Sequence, residues 1–165
     1  MKINNSISLL ALTVALCGTA AAQSGITVKH IQPGTGLIAS AVWAGDTLYV
    51  SGQLPSPVTP ADSAKGTPAV WGDTRTQALS TFQKIEALLK EQGLGMGDVL
   101  MMHVYMVGDP ANGGKLDFAG MNAAFSQFFG TKEQPNKPAR SAMQVAALVV
   151  PGPLVEIEVL AAKSK

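Results

Sequence analysis

The sequence predicts an α+β domain in which two helices cover one face of a β-sheet. Apolar residues first alternate along short segments, then take helical spacing from Thr74, and later segments repeat both patterns. The predicted element order is βββαβαββ. With 165 residues, of which 47% are hydrophobic, the chain suits one globular domain.

The first three strands are short and are joined by turns. The segment 25–32 alternates loosely, and residues 40–55 read as two strands around a turn at residues 44–46. Residues 55–72 are rich in Pro, Ser, Thr and Gly, which predicts a loop. These features predict a small meander that opens the domain.

The first helix is predicted to begin at Thr74, because Thr74 and Gln77 have capping-box spacing. Gly93 is the expected C-terminal cap. The apolar residues that define its buried face are Ala78, Phe82, Ile85 and Leu89.

The second half of the chain repeats the alternation of strand and helix. Residues 99–108 predict a strand, 117–130 a helix, and 139–148 and 154–162 two further strands. The helix is expected to point four residues inward: Phe118, Met121, Phe125 and Phe128.

The start of the chain predicts a secretory signal peptide over residues 1–22, with a cationic start, an apolar run at 7–16 and small residues before the cleavage point. The apolar run is shorter than the roughly 20 residues that a membrane span needs. The residue before Cys17 is leucine, which disfavours a lipid anchor. We expect cleavage near Ala22–Gln23, a periplasmic or secreted protein of residues 23–165, and no membrane association after cleavage.

Composition argues against several classes of function. Twelve basic and 11 acidic side chains give a net charge of +1 with no basic stripe, so no nucleic-acid partner is expected. His30 and His103 are far apart in sequence, so no metal site is expected. The only cysteine lies in the predicted signal peptide, and the mature chain would lack disulfides.

Arg140 is the most unusual residue of the predicted strands. It shares one strand face with the small residue Ala142 and with Gln144. A buried guanidinium needs a partner, and its planar fork matches a carboxylate. The partner could be a ligand or an internal acid such as Glu156 or Glu158, or Arg140 could lie at a solvated strand end.

Glu156 and Glu158 make one face of the last strand polar. Such carboxylates can accept protons or orient water, or they can simply face solvent. If the last two strands formed a hairpin, Arg140 and Glu156 would be roughly 20 Å or more apart. A joint site would then require another strand order or a second subunit. His103 and its methionine neighbours read as core or interface residues.

Five segments, in order, resemble the reactive intermediate deaminase family, also called the Rid or YjgF family. They are LYVSGQLP, GLGMGDVLMMHVYMV, DFAGMNAAFSQFFG, KPARSAMQVAAL and LVEIEVLAA. The resemblance implies a chorismate-mutase-like fold with a mixed six-stranded sheet, and a homotrimer with clefts between subunits. It also implies hydrolysis of 2-imino or enamino acids, such as 2-aminoacrylate, to 2-keto acids and ammonia.

The resemblance also implies roles for individual residues. Arg140 matches the arginine that grips the substrate carboxylate, and Glu156 matches the glutamate near the hydrolytic water. The remaining matched positions are Ser51 and Gly52 in the SGQ segment and Asn122 at the cleft. Three positions depart from the family pattern: Ala142 replaces a frequent cysteine, Ile38 a frequent tyrosine and Lys84 a frequent asparagine.

Two functions follow as hypotheses. The first is an exported deaminase of small carboxylate-bearing imines that uses neither cofactor nor metal. The second is a periplasmic protein that binds small carboxylates, or shields unfolded clients, without turnover. For either function, an apolar sheet face that the two helices leave uncovered predicts self-association as a trimer.

Overall fold

Six strands and two helices follow one another in the predicted order. The computed structural model describes residues 25–32 and 34–163, so the predicted signal peptide and its cleavage site lie outside the described residues. The elements are β1 (Val28–Ile31), β2 (Ala41–Ala44), β3 (Thr47–Gln53), α1 (Thr74–Glu91), β4 (Val99–Met106), α2 (Phe118–Phe125), β5 (Ala139–Gln144) and β6 (Val155–Ala162).

The sheet has the strand order β1-β2-β3-β6-β4-β5. Strands β1, β2 and β3 form the predicted antiparallel meander, and β6 pairs antiparallel with both β3 and β4. Strand β5 runs parallel to β4, which makes the sheet mixed. Because β4 lies between β5 and β6, the last two strands do not form a hairpin.

The core lies between the sheet and the two helices. Alternate residues of β3, β4 and β6 are fully buried on this side, and Phe82 of α1 lies at its centre. The Phe82 ring packs against three rings from the α2 region, with centroid distances of 5.2 to 6.3 Å to Phe125, Phe128 and Phe129. We call this side of the sheet the helix face.

The opposite side, the open face, has no helix over it. One row of residues in register crosses all six strands there: His30, Val42, Tyr49, Leu160, Met101 and Ala139. Tyr49 is 48% exposed in this row. The single chain therefore leaves a largely apolar sheet surface uncovered.

Helix α1 begins at Thr74, as predicted, but its N-terminal cap differs from the predicted one. Asp73 is the N-cap, and its carboxylate accepts a hydrogen bond of 2.8 Å from the Thr76 N–H. Hydrogen bonding from the Thr76 side chain, and then from this N–H, lowers the pKa of Asp73. The prediction of a capping box between Thr74 and Gln77 is wrong, because both side chains are buried. Gln77 instead donates to the Gly72 carbonyl and accepts from the Leu154 N–H, at 3.0 and 2.7 Å.

Helix α2 is shorter than predicted, and Phe118 does not point inward. Its ring is 43% exposed, whereas Met121 is buried and Phe125 packs against the core. The reason is position, because Phe118 opens the helix at the sheet edge. At the end of α1, Gly93 adopts a φ of +74° just beyond the last turn, as expected for a C-terminal cap. Within residues 25–32 and 34–163, no helix combines the length and apolarity that a membrane crossing requires.

Candidate functional site

Arg140 lies on the helix face of β5. Its register partner in β4 is Met102, which is fully buried beneath the helices. Ala142 follows two residues later on the same face, opposite Val104, and is exposed. The strand therefore directs the guanidinium toward α2 and leaves a small side chain beside it.

The Arg140 guanidinium is held by an amide and two aromatic rings. Its Nη2 donates a hydrogen bond of 2.8 Å to Asn122 Oδ1. Its Cζ lies 4.5 Å from the ring centroid of Phe125 and 5.4 Å from that of Phe118, so both rings face the cation. Burial lowers the pKa of Arg140, although a guanidinium remains charged at any ordinary pH.

One nitrogen of Arg140 has no partner. Nη1 is buried and makes no hydrogen bond within the described part of the chain. A buried charged donor without an acceptor costs free energy, whereas a bidentate carboxylate would satisfy it. The internal ion pair with Glu156 or Glu158 is absent from the described structure, because both glutamates lie on the open face.

Glu156 lies on the open face, directly over Gly52. The pairing of β3 with β6 shifts between Val50 and Gln53, which places the Gly52 backbone beneath the Glu156 side chain. A Cβ at residue 52 would overlap Glu156 Oε1. Gly52 has no positive φ, so glycine is required at this position for space rather than for backbone conformation.

Ser51 links the loop before β2 to the strand segment that contains Gly52. Its Oγ donates a hydrogen bond of 2.7 Å to the Ala39 carbonyl. The neighbouring residue Ile38 is 70% exposed at the end of that loop. Ile38, Ser51, Gly52 and Glu156 therefore form one group, which we call the glutamate half-site.

The second group, the arginine half-site, comprises Asn122, Arg140 and Ala142. Its strand β5 is two strands away from β6, and Arg140 and Glu156 are offset by three residues in register. These spacings separate the two Cα atoms by about 14 Å. The two side chains also point to opposite faces, so one chain does not bring its own half-sites together.

A third group on the open face was missed by sequence reasoning. His103 Nδ1 lies 2.8 Å from Glu158 Oε1, and the Tyr105 hydroxyl donates to the same oxygen at 3.1 Å. We call His103, Tyr105 and Glu158 the His103 cluster. A sequence signal existed, because two polar pairs with a spacing of two residues occur on β4 and on β6.

Two cavities lie near these elements. One of about 190 Å³ adjoins the His103 cluster and is lined by Val42, Tyr49, Ser51, Glu158 and Leu160, with backbone atoms of their neighbours. A larger one, about 460 Å³, lies along the outer side of α1 and contains no predicted site residue. In the described ranges, no group of three or more His, Cys, Asp and Glu side chains is arranged to hold a metal ion.

Comparison with known proteins assigns the chain to a family. The profile of the family described as endoribonuclease L-PSP matches residues 28–163. The chain belongs to this family. A RutC family protein of Pyrococcus horikoshii is 32% identical over 128 residues, covering 78% of this chain and 88% of that protein. Escherichia coli TdcF, named as a proposed reactive intermediate deaminase, is 33% identical over 120 residues, covering 73% and 81%.

Solved structures of this family share the fold. E. coli TdcF with bound serine superposes with a TM-score of 0.60 at 27% identity, covering 86% of this chain and all of that chain (100%). A YjgF family member from Neisseria meningitidis gives a TM-score of 0.63 at 21% identity, covering 86% and 99%. The resemblance to the Rid family and the prediction of a chorismate-mutase-like fold are therefore confirmed.

Proposed function

We propose that this Rid family protein is an exported deaminase that hydrolyses reactive 2-imino or enamino acids to 2-keto acids and ammonia. The substrate class is a small carboxylate-bearing imine of the 2-aminoacrylate type, and the reaction needs no cofactor. The roles of Arg140 and Glu156 below are part of this proposal.

The observation that carries the proposal is the unpaired Nη1 of Arg140. Phe118 and Phe125 cover the cation, and Asn122 occupies only one of its nitrogens. A substrate carboxylate could meet the remaining donor without displacing an internal acid. E. coli TdcF, whose structure has bound serine, is a relative that holds a compound with such a carboxylate.

Glu156 would act on the water. An enamino acid first tautomerises to the imine, and water then adds to the imine carbon to give a carbinolamine. The Glu156 carboxylate would take a proton from the attacking water and pass it to the imine nitrogen, which gives the carbinolamine. It would then take the carbinolamine hydroxyl proton and pass it to the amino group, so that ammonia leaves as the carbonyl forms. The missing side chain of Gly52 leaves space for the Glu156 carboxylate itself, which lies against the Gly52 backbone.

The cleft would combine two chains. Because the half-sites of one chain lie on opposite faces, Arg140 of one subunit would face Glu156 of the next. We propose a cyclic homotrimer with three such clefts, since closure covers all three open faces and leaves no free interface. The uncovered row that includes Tyr49 and Leu160 supports an interface on the open face.

The proposed location is the periplasm or the extracellular space. It rests on the sequence of residues 1–22 and predicts a mature chain that begins at Gln23.

The proposal is tested by generating imino acids with an amino-acid oxidase and following their decay. The series should run from iminopyruvate-like compounds to bulky apolar ones, because Ile38 and Ala142 are both apolar. We expect the native protein to accelerate decay and Arg140→Ala to lose at least about a hundredfold in kcat/KM, as when one member of a buried charge pair is removed.

Arg75→Ala is the matched control, because Arg75 is an exposed arginine in the first turn of α1. It should retain native activity. If native protein and Arg140→Ala are equally inert with every imino acid, the deaminase proposal fails. Saturable carboxylate binding without product would instead favour the non-catalytic hypothesis.

A further inference from the structure

The His103 cluster adjoins the glutamate half-site on the open face. We propose that His103 and Tyr105 are positioning residues. They hydrogen-bond to the Glu158 carboxylate and partly compensate its negative charge, so that Glu156 remains the carboxylate available to the attacking water. This inference rests on the proposed deaminase function and assigns residues that the function itself does not use.

Glu156 and Glu158 are close enough for their negative charges to repel each other. Glu156 and Glu158 are two residues apart on one face of β6, about 7 Å along the strand. Two negative charges at this separation disfavour each other, and only one carboxylate is needed at the reacting carbon. The structure gives them different surroundings.

Glu158 is engaged from the neighbouring strand. One of its oxygens, Oε1, receives both the His103 Nδ1 contact at 2.8 Å and the Tyr105 hydroxyl at 3.1 Å. Partial burial raises the pKa of Tyr105, and the hydrogen bond to Glu158 and the charges of Glu158 and Glu156 raise it further. Tyr105 therefore remains a donor throughout the physiological pH range.

Glu156 is not engaged in this way. Its register partner in β4 is Tyr105, yet the Tyr105 hydroxyl turns toward Glu158. The Glu156 side chain makes no hydrogen bond or ion pair within residues 25–32 and 34–163, and it lies on the bare Gly52 backbone. The arrangement thus separates an anchored carboxylate from an available one.

The sign of the electrostatic effect follows from the groups that face Glu156. Within the chain they are Glu158 on its own strand, His103 and Tyr105 on β4, and the more distant Tyr49 on β3. In the proposed trimer, Arg140 of the next subunit adds a positive charge that is the same in every variant tested. Removing the negative charge of Glu158 makes an ionised Glu156 easier to maintain. Removing the donors His103 or Tyr105 leaves the Glu158 charge less compensated and has the opposite effect.

The test is the pH dependence of kcat/KM in four variants, with the oxidase in constant excess and the protein-free decay subtracted at each pH. Glu158→Gln should move the acidic limb to lower pH by about half a unit or more. His103→Leu and, less strongly, Tyr105→Phe should move it to higher pH. His103→Gln keeps a donor, so its acidic limb should lie between those of the native protein and His103→Leu. This variant controls for a folding defect of the leucine variant.

Asp62→Asn is the matched control, because it removes a carboxylate from an exposed ion pair with Lys65 in the loop before α1. It should leave the profile unchanged. Acidic limbs that coincide with the native one in all variants, or that shift in the same direction in Glu158→Gln and His103→Leu, would overturn the inference.

A second readout separates this inference from the deaminase proposal. The carboxyl ¹³C resonance of Glu156 can be titrated in the same variants without any substrate. If the native protein is inert but the Glu156 titration moves in the two predicted directions, the proposed function fails and the positioning role stands. If neither substitution shifts the Glu156 titration, the positioning role is wrong even in an active enzyme.

Discussion

Charged side chains have different surroundings on the two faces of the sheet. On the helix face, Arg140 is covered by the chain's own aromatic rings and is bonded to one amide. On the open face, Glu156 and Glu158 lie uncovered, and only Glu158 has partners. In the proposed cleft, the half that would bind the carboxylate is therefore organised within one chain, whereas the half that would activate water needs a second chain to cover it.

The largest effect expected from this comparison concerns the open face. Leu160→Asp places a charge in the middle of the apolar row, opposite Tyr49 and Met101. We expect loss of assembly and, with it, nearly all activity, because an unpaired charge in an interface is strongly disfavoured. Light scattering and the imine assay on the same sample measure both losses.

Val70→Asp is the control for that substitution, since Val70 is an exposed aliphatic residue outside the open face, in the loop before α1. It should leave both assembly and activity intact. A Leu160→Asp protein that is monomeric yet fully active would contradict the division of the site between two chains.

A smaller effect is expected at Gly52. Gly52→Ala adds a Cβ where Glu156 Oε1 lies, so the carboxylate must move away from the reacting carbon. We expect kcat to fall by about ten- to a hundredfold, because a displacement near 1 Å can cost this much. KM should change less, since Arg140 still binds the carboxylate.

Gly95→Ala provides the comparison for Gly52→Ala. A Cβ at residue 95 would meet no atom nearer than Asp98 Oδ2 at 3.9 Å, an ordinary contact. If both alanine variants have the same kcat, the close approach of Glu156 to Gly52 has no role in the reaction.

Much of the fold followed from local patterns. The change of period at Thr74 predicted α1, and alternation predicted that Arg140 and Ala142 share a strand face. The strand order did not follow, because a hairpin of β5 and β6 is locally as acceptable as the observed insertion of β4. Met102 and Val104 of the inserted strand are fully buried beneath the helices, and the local pattern of β5 and β6 does not reveal this packing.

The sequence named candidate site residues but not their arrangement. Sequence segments pointed to Arg140 and Glu156, but which face each would occupy depends on where the helices pack. The His103 cluster escaped notice because His103 lies among methionines, and its partner Glu158 is 55 residues away along the chain. A contact across strands has no signature in a short segment.

The central claim, that each cleft takes Arg140 from one chain and Glu156 from another, can be measured by mixing two inactive variants. Arg140→Ala and Glu156→Gln, differently tagged, are unfolded together, refolded at equal amounts, and the assemblies that carry both tags are isolated. Activity should return to about one third of the native value per chain, because every trimer that contains both variants has one cleft, out of three, that combines a native Arg140 with a native Glu156. Mixed assemblies without any recovered activity would contradict the account.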